Sequence, residues 1–255
     1  MKKIYLLLLL AIYCTACSDK SEDPIIIIDP AEEPLIKAAH FYFIDQSHYR
    51  VEYKYNSADL LEKEIHLKEN GEPLTATTYK YDNYRLVEQQ MGVDPEIAGF
   101  NYQYRGDTLI FAEYRDFAAK PQHFTRTFSY PGDHVVRIVE KDMLTKNEQH
   151  IYLYTENGNV VRTKILDPFT DRVKEETEFE YDERPNPYFA LTGKAGLPMF
   201  RSQRNVTVMR TLFRNGESVN SEIRYAYDYE GPWPVRKYQL LANNKKLLEQ
   251  EYFYQ

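Results

Sequence analysis

From about residue 38 onward, apolar and polar positions alternate with a period of two. Tyr49, Val51, Tyr53 and Tyr55 fall on one side; Arg50, Glu52, Lys54 and Asn56 fall on the other. Late in the chain Val173, Thr177, Phe179 and Tyr181 oppose Lys174, Glu176, Glu178 and Glu180. Ile223, Tyr225, Tyr227 and Tyr229 likewise oppose Glu222, Arg224 and Asp228. A helix would scatter these residues around its axis, whereas a strand collects them on one face. One wet face is the mark of an antiparallel sheet.

Within this alternation one beat recurs, an aromatic, a polar residue and a second aromatic. It occurs at Tyr53/Tyr55, Tyr79/Tyr81, Tyr102/Tyr104, Phe128/Tyr130, Tyr152/Tyr154, Phe179/Tyr181, Tyr225/Tyr227 and Tyr252/Tyr254. Successive copies lie 26, 23, 26, 24, 27, 46 and 27 residues apart. Turn formers such as Asn56-Ser57, Gly106-Asp107, Asn157-Gly158 and Asn215-Gly216 stand between the runs. Each copy therefore reads as two strands and two turns. The expected fold is all-β: an antiparallel meander of about 14 strands, curling into a barrel or half-barrel from hairpin repeats of 23–27 residues. In each copy the two rings are expected to line the inner face, with the residue between them facing water. No segment carries a helical period over about ten residues.

The 46-residue interval breaks the rhythm. It holds an insertion at 183–204 with Pro185, Pro187, Gly193, Gly196 and Pro198. Its aromatics predict a loop that folds back over an open end of the sheet. Tyr188, Phe189, Arg201 and Arg204 are its candidate ligand contacts. Trp233, between Pro232 and Pro234 at an expected hairpin tip, is the other candidate. Exposed, it offers a stacking surface for a sugar; buried, it packs, as large aromatics mostly do.

The first residues follow a different pattern. Met1-Lys2-Lys3 is basic, Ile4–Tyr13 is apolar but too short to span a bilayer, and Cys14-Thr15-Ala16-Cys17 supplies small residues before a cysteine. The segment resembles a bacterial lipobox, with Leu more usual where Cys14 stands. We expect residues 1–16 to be a lipoprotein signal peptide, Cys17 to be acylated, 17–37 to be a flexible tether and 38–255 to be one β domain. The Ile25–Ile28 run within the tether reads as an edge strand or docking segment. Removing residues 1–16 takes away Lys2 and Lys3, and 30 − 39 leaves a net charge of −9. Such a chain is a poor nucleic-acid binder, and its expected membrane contact is the acyl chains on Cys17. Cys17 would then be the one mature cysteine, so no disulfide framework forms.

The Tyr-x-Tyr-Asp units, the segment Phe179 to Tyr188 and the run Tyr225 to Pro234 resemble a family of Bacteroides-group lipoproteins. That family is a domain of unknown function with a porin-like fold. Trp233-Pro234 stands where Tyr-Pro is more usual in it. The likeness covers roughly residues 38–255 and rests on strand and turn punctuation. It implies a barrel-like meander and no activity. The acidic run Ser18 to Asp23 similarly resembles a surface-export signal. A looser likeness is to Tyr-Asp repeat proteins, which carry Gly at the position of Tyr84.

Chemistry is sparse. The six histidines show no helical zinc spacing, and no nucleophile elbow or phosphate loop is present. Glu62/Glu64 and Glu176/Glu178 are assigned to the wet face. We therefore expect no cofactor, no metal and no catalytic residue. The leading expectation is a non-enzymatic, lipid-anchored outer-membrane protein facing the cell exterior, binding a glycan, peptide or envelope protein. The alternatives are a periplasm-facing carrier of a lipid or other apolar ligand, and a structural subunit of a surface assembly.

Overall fold

Sixteen antiparallel strands follow one another in chain order and close into a barrel in the computed structural model. It describes residues 34–45, 47–92, 98–116, 121–192, 202–213 and 220–255. The expected signal peptide, Cys17, the Ile25–Ile28 run and most of the tether lie outside the described residues. The strands are β1 (Ile36–Tyr42), β2 (His48–Tyr55), β3 (Leu61–Leu67), β4 (Pro73–Asp82), β5 (Arg85–Met91) and β6 (Ala98–Arg105). They continue through β7 (Thr108–Asp116), β8 (His123–Gly132), β9 (Val135–Asp142), β10 (Glu148–Glu156) and β11 (Asn159–Leu166). The last are β12 (Val173–Pro185), β13 (Arg204–Phe213), β14 (Asn220–Glu230), β15 (Trp233–Leu240) and β16 (Lys246–Tyr254). The seam joins β1 to β16, with Ala39 opposite Tyr252 and His40 opposite Glu251. Closure leaves no strand edge open to another chain. The count exceeds the expected 14 by two, because each of the eight aromatic copies brings its own hairpin and β1 already starts at Ile36.

At one end the strands are joined by tight turns. Asn83 and Tyr84 both take positive φ (48° and 65°), as do Asn157 and Gly158 (49° and 73°). That backbone matches the right-handed twist of the flanking strands. Apart from the long β12–β13 insertion, the longer connections lie at the opposite end.

The aromatic copies explain how the tight-turn end is held. Tyr53, Tyr102, Phe128 and Tyr252, the first rings of four copies, are buried in the inner core. The second ring does something more specific. Its hydroxyl donates to a main-chain carbonyl at the start of the preceding strand: Tyr55 to Ile36 (2.6 Å), Tyr81 to Leu61 (2.8 Å) and Tyr104 to Leu86 (2.9 Å). Tyr130 reaches Leu109 (2.9 Å), Tyr181 reaches Val160 (2.5 Å), Tyr227 reaches Val206 (2.9 Å) and Tyr254 reaches Pro234 (2.7 Å). In each case the backbone ladder between the two strands ends two residues short of that carbonyl. The β3–β4 ladder, for example, stops at Lys63–Thr78, and the β11–β12 ladder at Arg162–Glu178. The phenol thus takes the place of an amide that the splayed strand no longer supplies, and a buried carbonyl keeps its partner.

Tyr152 and Tyr154 break this rule and correct the expectation for their copy. On β10 it is Ile151 and Leu153 that join the core, so the two tyrosines face outward. Here the β9–β10 ladder runs on to Val135–Tyr154, and the amide of Thr155 donates to the carbonyl of His134 at 2.9 Å. Backbone pairing is complete, and no phenol is needed to cap it.

Glu64 is a second correction. At Tyr55 the register of β2 and β3 shifts, so that Leu61 faces Tyr55, Glu62 is the extra residue and Glu64 faces Tyr53. A β-bulge advances the alternation by one. Glu62 and Glu64 therefore do not share a wet face, and Glu64 points into the barrel.

Candidate functional site

The barrel interior is packed with rings on the β5–β10 side and on the β1–β3 side, and a cavity of about 480 Å³ lies among its inner walls. Phe41, Tyr53 and Glu64 form one wall; Leu153, Val160, Thr163, Phe179, Tyr181 and Val206 form the other. Asn186, Tyr188 and Ser202 complete it from the insertion and its flank. The alternation places every strand residue here, since cross-strand partners share a side.

The described parts of the insertion, 183–192 and 202–204, pack against the tight-turn end. Asn186 Oδ1 accepts the amide of Tyr188 at 3.0 Å, and its Nδ2 donates to the carbonyl of Ser202 at 2.9 Å, tying the two arms of the loop together. A single helical turn, α1 (Phe189–Thr192), then drops Leu191 into the core beside Ile36, Val51 and Leu61. Ser202 Oγ accepts the amide of Val160 at 3.0 Å and lies 2.7 Å from the Tyr181 hydroxyl. Gly158 lets this loop sit close: an added Cβ would stand 2.4 Å from the Gln203 side chain.

Glu64, Thr163, Asn186 and Ser202 face the cavity alongside the rings, and further polar groups contact its lining or lie farther along the inner wall. Glu64 lies 2.8 Å from His66 Nε2 and accepts from the Tyr79 hydroxyl at 3.0 Å. His66 stacks on Tyr49 with ring centres 5.7 Å apart. Tyr188 packs edge-on against Tyr53 and Tyr252, and it donates to Gln250 at 3.3 Å; Tyr252 donates to the same oxygen at 2.7 Å. Farther round the wall Lys237 stands 3.8 Å over the Tyr225 ring. Burial pushes the hydroxyls of Tyr181 and Tyr252 above the usual phenol range, so both are neutral donors here. Such a set can clasp a small ligand that has both apolar faces and hydroxyl or amine groups. Among the described residues no three His, Cys, Asp or Glu side chains converge to hold a metal.

Of the residues singled out in the sequence, Tyr188 lines the cavity and Phe189 begins the helical turn above it. Arg204 is engaged structurally: its amide donates to Asn159 Oδ1 at 2.9 Å, and its guanidinium bonds the carbonyl of Glu183. Trp233 starts β15 at the β14–β15 turn, half-buried with its ring 6.1 Å from that of Tyr254, so it packs against the barrel end. Arg201 lies outside the described residues. The sequence reading missed Glu64, His66 and Gln250. The first was hidden by the bulge at Glu62, and the others carry no local signal of facing inward.

No family model matches the chain, and no curated protein matches it. Among solved structures, a porin-like protein from Bacteroides vulgatus ATCC 8482 superposes with a TM-score of 0.60 at 11% identity, covering 87% of this chain and 99% of that one. A porin-like protein from Bacteroides uniformis ATCC 8492 covers 86% of this chain at 11% identity, with a TM-score of 0.42. The first likeness bears out the porin-like fold, and this chain is an all-β, closed antiparallel barrel of that kind.

Proposed function

We propose that the protein is a non-enzymatic, lipid-anchored binding module of the outer membrane, whose barrel stands in water and takes a small polar ligand into the cavity at Glu64 and Tyr188. A porin-like fold is consistent with an outer-membrane protein. The observation that carries the reading is the outer wall. Arg50–Glu52, Lys80–Glu88, Arg115–Glu113, Lys164–Glu176, Arg210–Glu222 and Arg236–Glu251 stand around the outer wall, with Arg210 and Arg236 near mid-strand. Each Arg or Lys at a bilayer midplane would cost about 2–4 kcal/mol. A wall of this kind favours water over lipid, which leaves the Cys17 acyl chains as the membrane contact. Inside, the Glu64 carboxylate opposes a purely apolar ligand, whose entry would bury this charge further from water. That weighs against a lipid carrier and toward a glycan or short peptide.

The test is phase partitioning of the full chain with and without Cys17→Ser. We expect the wild type in the membrane and detergent phase, and the variant in the aqueous phase with its β-sheet spectrum intact. A variant that needs detergent to stay folded would overturn the reading. Protease shaving of intact cells then tests the outward orientation, with protection of the protein sinking it.

A further inference from the structure

The outward-facing copy builds a surface found at none of the other seven. On the outer side of β9–β11, Tyr152 lies between Arg137 and Lys164, and Tyr154 lies opposite Arg162. The Arg162 guanidinium sits 4.3 Å over the Tyr154 ring, and Lys164 lies 5.9 Å from the same ring. Arg162 and Lys164 share Glu176, at 3.8 and 3.3 Å, and this carboxylate is only 5% exposed. Arg137 has no ion pair among the described residues. The buried side-chain polar atoms that lack a hydrogen-bond partner among them are the Nε of Arg137 and the Nε of Arg162. Elsewhere on the outer wall Arg50, Arg85, Arg115, Arg210, Arg224 and Arg236 each lie within 3.1 Å of a carboxylate. The surface continues through the Ser129–Arg137 pairing into a groove of about 730 Å³ on β6–β8. Arg105, Phe111, Thr127 and the partly exposed Tyr130 line that groove.

We propose that this face is a second binding site, separate from the cavity, for an acidic oligosaccharide carrying carboxylate or sulfate groups. Arg137, with no carboxylate partner among the described residues, and Arg162, held only at 3.8 Å from Glu176, suit planar or tetrahedral oxyanions, which guanidinium groups can engage with two donors. Tyrosine and phenylalanine faces beside them suit the apolar faces of sugar rings. The β7–β11 width, at about 4.8 Å per strand spacing, spans about 19 Å, room for several sugar units. Single-stranded nucleic acid is read by the same pairing of aromatics and cations. Two acids argue against so dense a polyanion: Glu178 faces Arg162, and Glu156 follows Tyr154 along β10. The net charge of −7 points the same way. More widely spaced charges fit this border.

The experiment measures binding of the full chain carrying Cys17→Ser to fluorescent hyaluronate and partly methyl-esterified oligogalacturonate fragments, whose carboxylates are widely spaced, with a short oligothymidylate in parallel. We expect one of the sugar probes to bind at low salt and to weaken at high salt. Arg137→Gln with Arg162→Gln should weaken it by about ten-fold or more while the melting temperature holds. Lys164→Gln should weaken it less, and Glu64→Gln, on the other side of the wall, should leave it unchanged. Absence of binding to either sugar probe, equal binding by the double variant, or tighter binding of the oligothymidylate would each overturn the proposal. Because Glu64→Gln alters only the cavity, failure of the lumenal reading and failure of this one are distinguishable.

Discussion

Tyrosine does two jobs in this barrel, and the position in the aromatic pair decides which. The first ring fills space, while the second caps a carbonyl that the splayed strands leave without an amide. Removing only that oxygen should expose the difference. Tyr81→Phe leaves the Leu61 carbonyl buried without a donor and should cost about 1–2 kcal/mol in denaturant unfolding. Tyr154→Phe, in the copy whose ladder is complete, should cost about 0.5 kcal/mol or less. Equal losses would refute the capping role. These hydroxyls were not legible from the sequence. Tyr154 and Tyr104 occupy the same place in the same motif, yet one faces water and the other faces inward. The choice lies in a one-residue shift of β10 against its neighbours, and period two turns such a shift into an exchange of faces.

At the scale of the element, the hairpin turns and the insertion depend on each other. Gly158 serves the β10–β11 turn with a φ of +73° and also makes room for Gln203. Gly158→Ala should therefore destabilise the protein by about 1–2 kcal/mol from backbone strain alone. Gly106, with a φ of +60° and open space around its Cβ position, should show the strain without the crowding. Limited proteolysis within the insertion should rise for Gly158→Ala and not for Gly106→Ala. Proteolysis that rises equally in both would show that Gln203 yields without loosening the loop. The insertion was visible in the sequence as a break in spacing, and so was its tendency to fold back. Its anchor at Leu191 was not, because one leucine after two aromatics carries no sign of its partners β1–β3.

Across the whole molecule, burial of many phenols couples the fold to alkaline pH. Burial is the main cause that raises Tyr104 to about 12, and it also raises Tyr81, Tyr102, Tyr227 and Tyr254. Their folded values lie above the unfolded value of about 10. The neutral hydroxyls thus contribute fully below about pH 10, and the contribution disappears as pH rises toward the folded values. Stability should be level through neutral pH and fall steeply above about pH 10, with tyrosinate absorbance rising together with loss of the β-sheet spectrum. Absorbance that rises on its own, with the spectrum unchanged, would place most of these rings in water.

The amino-acid sequence determined the strand class, the antiparallel meander, the repeat length and the position of the one long insertion. Those follow from local rules: alternation selects strands, and Asn-Gly or Gly-Asp pairs select tight turns. Only the tertiary structure decided that the sheet closes with 16 strands, since closure joins β1 to β16 across nearly the full chain. It also decided which rings look inward and where Glu64 lies, because bulges and ladder ends are set by neighbouring strands. The outer wall of paired charges was legible residue by residue. Its gap at Arg137, beside the loosely paired Arg162, emerged only when β9, β10 and β11 were placed side by side.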